Sequence, residues 1–121
     1  MVKRTGPTNI VTRITVRELK KMSTKTSKRI WSDVADRILR PSRRRVIVNI
    51  SRINRYSKSG EIIVVPGKVL GAGTINHPVT VAALDFSARA REKIERASGR
   101  CIHILDLLEE NPPPSKIKIM E

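Results

Sequence analysis

A chain of 121 residues, 39% of them hydrophobic, has room for one domain of ordinary size with a modest core. Its 25 Lys and Arg against 11 Asp and Glu give a net charge of +14, a field that draws polyanions, nucleic acid before an anionic membrane surface. No apolar run of about 18 residues is present to span a membrane, the basic start MVKRTGPTN lacks the apolar stretch of a signal peptide, and the single Cys101 cannot close an internal disulfide, which suits a reducing cytoplasm.

Residues 1–8 show no apolar pattern, and Gly6-Pro7 breaks any regular element. This basic tail is expected to be disordered unless a polyanion orders it. Asn9 or Thr12 can cap a helix running to about Met22, with Val11, Ile14, Leu19 and Met22 as a patchy apolar face. A second helix is predicted from Ser27, as N-cap, to the stop at Pro41. Ile30, Trp31, Val34, Ile38 and Leu39 form its buried stripe. A basic PSRRR follows, then the short apolar Val46-Ile47-Val48, a second basic stretch, and a turn at Ser57-Lys58-Ser59-Gly60.

Beyond the turn the composition changes. Glu61 to Val65 reads as a strand interrupted by Pro66-Gly67, with extended structure resuming at Lys68-Val69-Leu70. A glycine-bearing loop, Gly71 to Pro78, precedes another β-rich run from Val79 to Leu84. Ser87 caps a helix to Ser98 with Gly99 as its C′ residue, supported by the i,i+4 pair Glu92 and Arg96. A short strand from Cys101, a short helix from Leu105 to Glu110 and an edge strand over Lys116–Met120 complete an order β, β, α, β, α, β. The expected core is Ile62, Val64, Val69, Val81, Leu84, Phe86, Ile94, Ile102, Leu107, Leu108 and Ile117. There is no repeat of solenoid length.

The charge is segregated along this order. Residues 1–60 hold 17 Lys and Arg and 3 Asp and Glu, whereas residues 61–121 hold 8 of each. An electroneutral folding unit thus carries a basic extension. Within it, Arg43, Arg44 and Arg45, with Arg52 and Arg55, offer planar donor forks matched to phosphate oxygens and have few acids nearby to pair them. The bland alternative is a solvated loop or a localisation tract. Lys20, Lys21, Lys25, Lys28 and Arg29 bracket the turn between the first two helices, where they can straddle a phosphate backbone. Lys3, Arg4, Arg13, Arg40, Lys58 and Lys68 complete the cations expected to meet nucleic acid.

Other chemistry is weakly represented. GKVLGAG is not a Walker loop, because Gly67-Lys68 comes first and Val69 follows it, and a dinucleotide fingerprint would need glycine where Asn76 stands. Gly71 and Gly73 serve either a tight turn or close approach to a nucleic-acid backbone. His77, His103 and Cys101 are too few for a structural zinc site, so no metal and no cofactor are expected. No nucleophile–base–acid set stands out, which argues against an enzyme and a small-molecule substrate. With one Trp, one Tyr and one Phe there is no broad base-stacking platform. Trp31 and Phe86 read as core, leaving Tyr56, between Arg55 and Lys58, as the aromatic available to stack. The first two helices can also be read as a DNA-binding helix-turn-helix, but their connection lacks the usual glycine.

The strings IWSDVADRI (30–38), VNISRINRYS (48–57), VVPGKVLGAGTINHPVTVAA (64–83), FSARAREKI (86–94) and LLEENP (107–112) closely resemble one family. It is the eighteen-e family of large-subunit ribosomal proteins of archaea and eukaryotes, related to bacterial large-subunit protein fifteen. The resemblance covers nearly the whole chain after about residue 9, and its most specific stretch is GKVLGAG with the following H.VTVAA. It implies an α/β fold, an irregular β-β-α layered body over residues 46–121, with residues 1–45 as a basic, largely helical extension facing RNA. It further implies a structural, non-catalytic role in the cytoplasmic ribosome, with large-subunit ribosomal RNA and neighbouring ribosomal proteins as partners and no membrane. The short length resembles the archaeal form. Pro112-Pro113-Pro114 departs from the Pro and Gly turn more usual in the family.

Overall fold

Residues 10–39 and 46–121 are described by the computed structural model, and they divide at the step from residue 45 to 46 into two units. In the first, helix α1 spans Ile10–Thr26 and helix α2 spans Arg29–Ile38. The first helix runs a turn beyond the expected end at Met22. The hydroxyls of Thr24 and Thr26 donate to the carbonyls of Lys20 (3.2 Å) and Met22 (2.6 Å), which occupies polar groups that otherwise draw threonine out of helices. Ser27, expected as the cap of α2, is instead left-handed with φ of 59°. A link of two residues must reverse the chain, and Ser27 takes the conformation that usually falls to glycine. Lys28 is the N-cap, without a side-chain cap bond. Trp31, Val34, Ala35 and Ile38 are the buried stripe of α2, while Ile30 is only partly buried and Leu39 is exposed. Pro41, read as the stop of this helix, lies outside the described residues.

The second unit is a parallel α/β layer structure. In chain order it comprises β1 (Val46–Asn49), α3 (Ile50–Tyr56), β2 (Ile62–Leu70), β3 (Thr80–Phe86), α4 (Ala88–Arg96), β4 (Arg100–His103), α5 (Ile104–Glu110) and β5 (Ile117–Ile119). The sheet order is β1-β2-β3-β4, with β5 also paired to β2. Every pairing is parallel. With β3 along one edge of β2, the other edge is shared: β1 pairs with Gly67–Leu70 and β5 with Ile62–Val64. This fixes the register after the three prolines, with Ile117 opposite Ile62.

Right-handed crossovers place the helices. The step from β3 to β4 continues the direction set by β1 and β2, so α3 and α4 share one face. The return from β4 to β5 puts α5 on the other. Burial agrees: Ile50 and Ile53 of α3 and Ala90 and Ile94 of α4 join one cluster with Val46, Val48, Ile63, Val65, Val69, Val81 and Met120. Val64 and Ala82 point the opposite way and are fully buried, as are Ile104 and Leu107 of α5. A parallel sheet covered on both faces buries consecutive residues, which is why Ile63, Val64 and Val65 all lie inside. Of the expected core, Ile62, Leu84, Phe86, Ile102 and Ile117 are only partly buried, because they sit near strand ends or on strands at the sheet's margin.

Other expectations change. The basic stretch after Val48 is not a simple connection but helix α3, two turns held by the burial of Ile50 and Ile53. Pro66-Gly67 does not interrupt the strand. β2 runs through it, and the pairing to β3 shifts register between Val65 and Lys68, the signature of a bulge that absorbs a residue without a ladder donor. Ser87 caps α4 as expected, its Oγ accepting from Ala90 N at 3.1 Å. The left-handed residue at the far end, however, is Ser98, with φ of 71°. Ser98 N donates to Glu95 O (3.0 Å) and Gly99 N to Ile94 O (2.9 Å), a Schellman arrangement with Gly99 one position later than expected. Gly99 is needed there for space, since a Cβ would lie 2.5 Å from Val79 O.

Candidate nucleic-acid interface

Helix α1 places Arg13, Val16, Arg17, Lys20, Lys21, Thr24 and Lys25 around one shallow groove. Residues 13, 17, 20, 21, 24 and 25 recur at the three- and four-residue spacing that stacks side chains along one face. Lys21 reaches Glu18 at 3.8 Å, with its side chain 69% exposed. Among the described residues Arg17, Lys20, Lys25 and Arg29 have no carboxylate within ion-pair distance. Like charges at helical spacing repel by roughly 0.2–0.5 kcal/mol per pair, a cost that an anion laid along the helix removes.

A second cationic set stands on α3. Ile50 and Ile53 anchor the helix to the core, so Arg52, Arg55 and Tyr56 project from it, all exposed. The Arg52 and Arg55 guanidinium carbons lie 5.7 and 6.0 Å from the Tyr56 ring centroid. Lys58 follows in the exposed turn, its backbone N–H donating to Glu61 Oε1 at 2.7 Å.

The glycine loop is built against this helix and α4. Gly73 has φ of 93°, and a Cβ there would fall 2.4 Å from the Ser51 Cβ; at Gly71 it would fall 2.8 Å from Ala90 N. Asn54 Oδ1 accepts from Asn76 N at 3.0 Å, and Ser51 N donates to Ala72 O at 3.2 Å. Lys93 Nζ donates to the carbonyls of Gly71 (2.9 Å) and Gly73 (2.7 Å). Of the two uses open to these glycines, the tight turn accounts for both.

Charges elsewhere in the second unit are largely matched. Lys68 faces Asp85 at 3.8 Å, Arg96 faces Glu92 at 3.1 Å, Arg100 faces Glu110 at 2.6 Å and Lys118 faces Glu61 at 3.8 Å. Lys68 therefore differs from the α1 cations in having a carboxylate of its own. Burial pushes the Cys101 thiol up to about 11, which leaves it an inert thiol at neutral pH. His77 Nε2 lies 2.9 Å from Ser57 Oγ, tying the glycine loop to the end of α3. Among the described residues no group of three or more His, Cys, Asp or Glu is placed to hold a metal.

The expected cations thus fall into separate groups. Arg13, Lys20, Lys21, Lys25, Lys28 and Arg29 belong to the helical unit; Arg52, Arg55 and Lys58 belong to α3 and its turn. Lys3, Arg4, Arg40, Arg43, Arg44 and Arg45 lie outside the described residues. Sequence reasoning passed over Arg17, although its position one turn after Arg13 marks it for the same face. It also passed over Lys93, whose role rests on a loop 20 residues away in the chain and left no local signal.

What the fold and the surface define is a basic α/β protein that concentrates unmatched charge on helices and assembles no reaction centre among its described residues. The chain belongs to the ribosomal protein family of 50S-L15 and 50S-L18e, whose model matches residues 9–102. It is 52% identical over 106 residues to the large ribosomal subunit protein eL18 of Methanothermobacter thermautotrophicus, covering 88% of each chain. It is 46% identical over 121 residues to the eL18 of Sulfurisphaera tokodaii, covering 100% of this chain and 99% of that one. To the eL18 of Methanopyrus kandleri it is 47% identical over 122 residues, covering 97% and 96%. Membership makes the chain a ribosomal protein with a structural rather than an enzymatic role, as the resemblance implied.

Proposed function

We propose that the chain is a scaffold of the large ribosomal subunit that binds ribosomal RNA through Arg and Lys contacts to phosphates. Residues 46–121 are the folded body. Residues 1–45 are the RNA-facing extension, crossing between RNA helices and neutralising phosphates that would otherwise repel. The observation that carries this reading is the face of α1, where Arg17, Lys20 and Lys25 stand without carboxylate partners among the described residues. Their ordered spacing suits a phosphate ladder better than random solvation. Arg43, Arg44 and Arg45 extend the same chemistry by sequence. Its setting is the ribosome, in the cytoplasm, beside ribosomal RNA and neighbouring ribosomal proteins. Lys68, Gly71 and Gly73 are secondary contacts in this reading, because each already serves the protein's own fold.

The test is binding to purified large-subunit ribosomal RNA over a range of salt, with duplex DNA as the comparison. Contact with Z phosphates predicts that log K falls with log salt at a slope of roughly −0.7Z to −0.9Z. Folded ribosomal RNA should be preferred to duplex DNA. Indifference to ribosomal RNA in low-salt buffer would overturn the proposal. Co-sedimentation with large subunits through a high-salt gradient tests the setting separately.

A further inference from the structure

We infer that Tyr56 is a base-stacking anchor that captures an unpaired nucleotide of the RNA, with Arg52, Arg55 and Lys58 on the adjoining phosphates. The inference rests on the RNA-binding reading and adds to it a second mode of contact, to a base rather than to the backbone.

Tyr56 is 53% exposed, in a chain whose other large exposed hydrophobic side chains, among the described residues, are the aliphatic Leu39 and Ile47. An exposed aromatic at the end of a helix is ordinary by itself. Its surroundings are not. Guanidinium groups stand 5.7 and 6.0 Å from its ring centroid, and neither arginine has a carboxylate within ion-pair distance among the described residues. Arg and aromatic planes together form the surface on which splayed-out bases stack in RNA recognition. The charge ensures that whatever base arrives brings its phosphates to a matching site.

The platform is also held rigid. Lys118 Nζ, from the last strand, donates to the Tyr56 carbonyl at 2.8 Å. The next residue, Ser57, is buried and bonded through its hydroxyl to Ile53 O and His77 Nε2. The backbone that carries the ring is therefore fixed by groups from two other segments, and little ordering entropy is left to lose on binding. An exposed tyrosine serving only solubility would need none of this bracing.

The experiment compares Tyr56→Ala and Tyr56→Phe in the full chain, using large-subunit ribosomal RNA as the probe and an A-form RNA duplex as control. Because the ring is exposed, both variants should melt like the parent. Loss of a stacked base predicts affinity for ribosomal RNA reduced at least about fivefold in Tyr56→Ala, with an unchanged salt slope, since no phosphate contact is lost. Tyr56→Phe should stay within about twofold of the parent, and binding to the duplex should be unaffected. Ultraviolet cross-linking should join the Tyr56 peptide to a nucleotide in a loop or bulge. Equal affinity of the parent and Tyr56→Ala for ribosomal RNA would refute stacking while leaving phosphate binding intact. Equal loss in both variants, or a cross-link within paired RNA, would refute it as well. A parent protein that ignores ribosomal RNA altogether would bring down the functional reading and this inference together.

Discussion

Lys93 Nζ stands 2.7 Å from the carbonyl oxygen of Gly73, across 20 residues of chain, and it bonds the Gly71 carbonyl at the same time. One ammonium thus closes a loop whose turn leaves both carbonyls pointing the same way. The lysine is half-buried, so its bonds are stronger than those of a fully solvated surface lysine. The most family-specific stretch of the sequence is in this sense a structural clasp between α3 and α4, and the unmatched cations stand on helices instead.

Replacing Lys93 by Met keeps the stem and removes the donors. The expected cost is about 1–2 kcal/mol, the lower range for hydrogen bonds to charged groups. Amide exchange should accelerate at Gly71–Asn76 more than in β3. Exchange that is unchanged in this loop would show that the clasp contributes nothing.

Gly67 and Gly60 separate the two uses of glycine. A Cβ on Gly67 would lie 2.0 Å from Val46 O, in the β1–β2 pairing, whereas Gly60 has open space and only a positive φ of 86°. Gly67→Ala should therefore cost about 3 kcal/mol or more, or detach β1. Gly60→Ala should cost about 1–2 kcal/mol. Urea denaturation of both variants checks the order, and equal costs would contradict it.

His103 is the N-cap of α5, its Nδ1 accepting from Leu105 N at 3.1 Å while Asp106 Oδ2 accepts from His103 N at 3.3 Å. Burial lowers its pKa below the ordinary 6.5, opposed by Asp106 and Asp85. The folded protein then binds fewer protons here than the unfolded chain, so the contribution is complete above about pH 6.5 and is lost as pH falls through the folded value. Protonation of Nδ1 would also remove the acceptor. The loss should be about the worth of a cap, ~1 kcal/mol. Thermal melts between pH 7.5 and 5 should show it, and His103→Asn, which caps without titrating, should lessen the dependence.

Changing Arg17, Lys20 and Lys25 together to Ala should make the slope of log K against log salt shallower by roughly two to three. The backbone resonances of residues 46–121 should stay in place. Substituting Arg43, Arg44 and Arg45 should have a comparable effect. Changing Lys68, which Asp85 already partners at 3.8 Å, should alter the slope by less. Slopes that do not move in the α1 variant would exclude that face from the phosphate contacts.

Much of the fold is legible in the order of residues. The helix after Ser87 announces itself by a cap, a charge pair and a closing glycine, all within thirteen residues, because these signals are local. Helix α3 does not: with Ile50 and Ile53 as its buried residues it is too short to show a period, and short helices draw their stability from packing. The cationic candidates follow from composition, but their pairing does not. Lys68 and Lys25 look alike in sequence, and only the register of β2 against β3 brings Asp85 to the first of them.

By itself the sequence determined what acts within a few residues or sums over many. It set the segregation of charge, the caps and turns of the well-signalled helices, the strand-forming runs and the family. Tertiary structure alone decided the strand order, the burial of both faces of β2, the bulge that carries Pro66-Gly67 through the sheet, and the distinction between matched and bare cations. Those outcomes depend on residues that are distant in the chain and meet only when parallel strands pair. A parallel ladder joins segments through long crossovers, and no local pattern records which distant partner the crossover will supply.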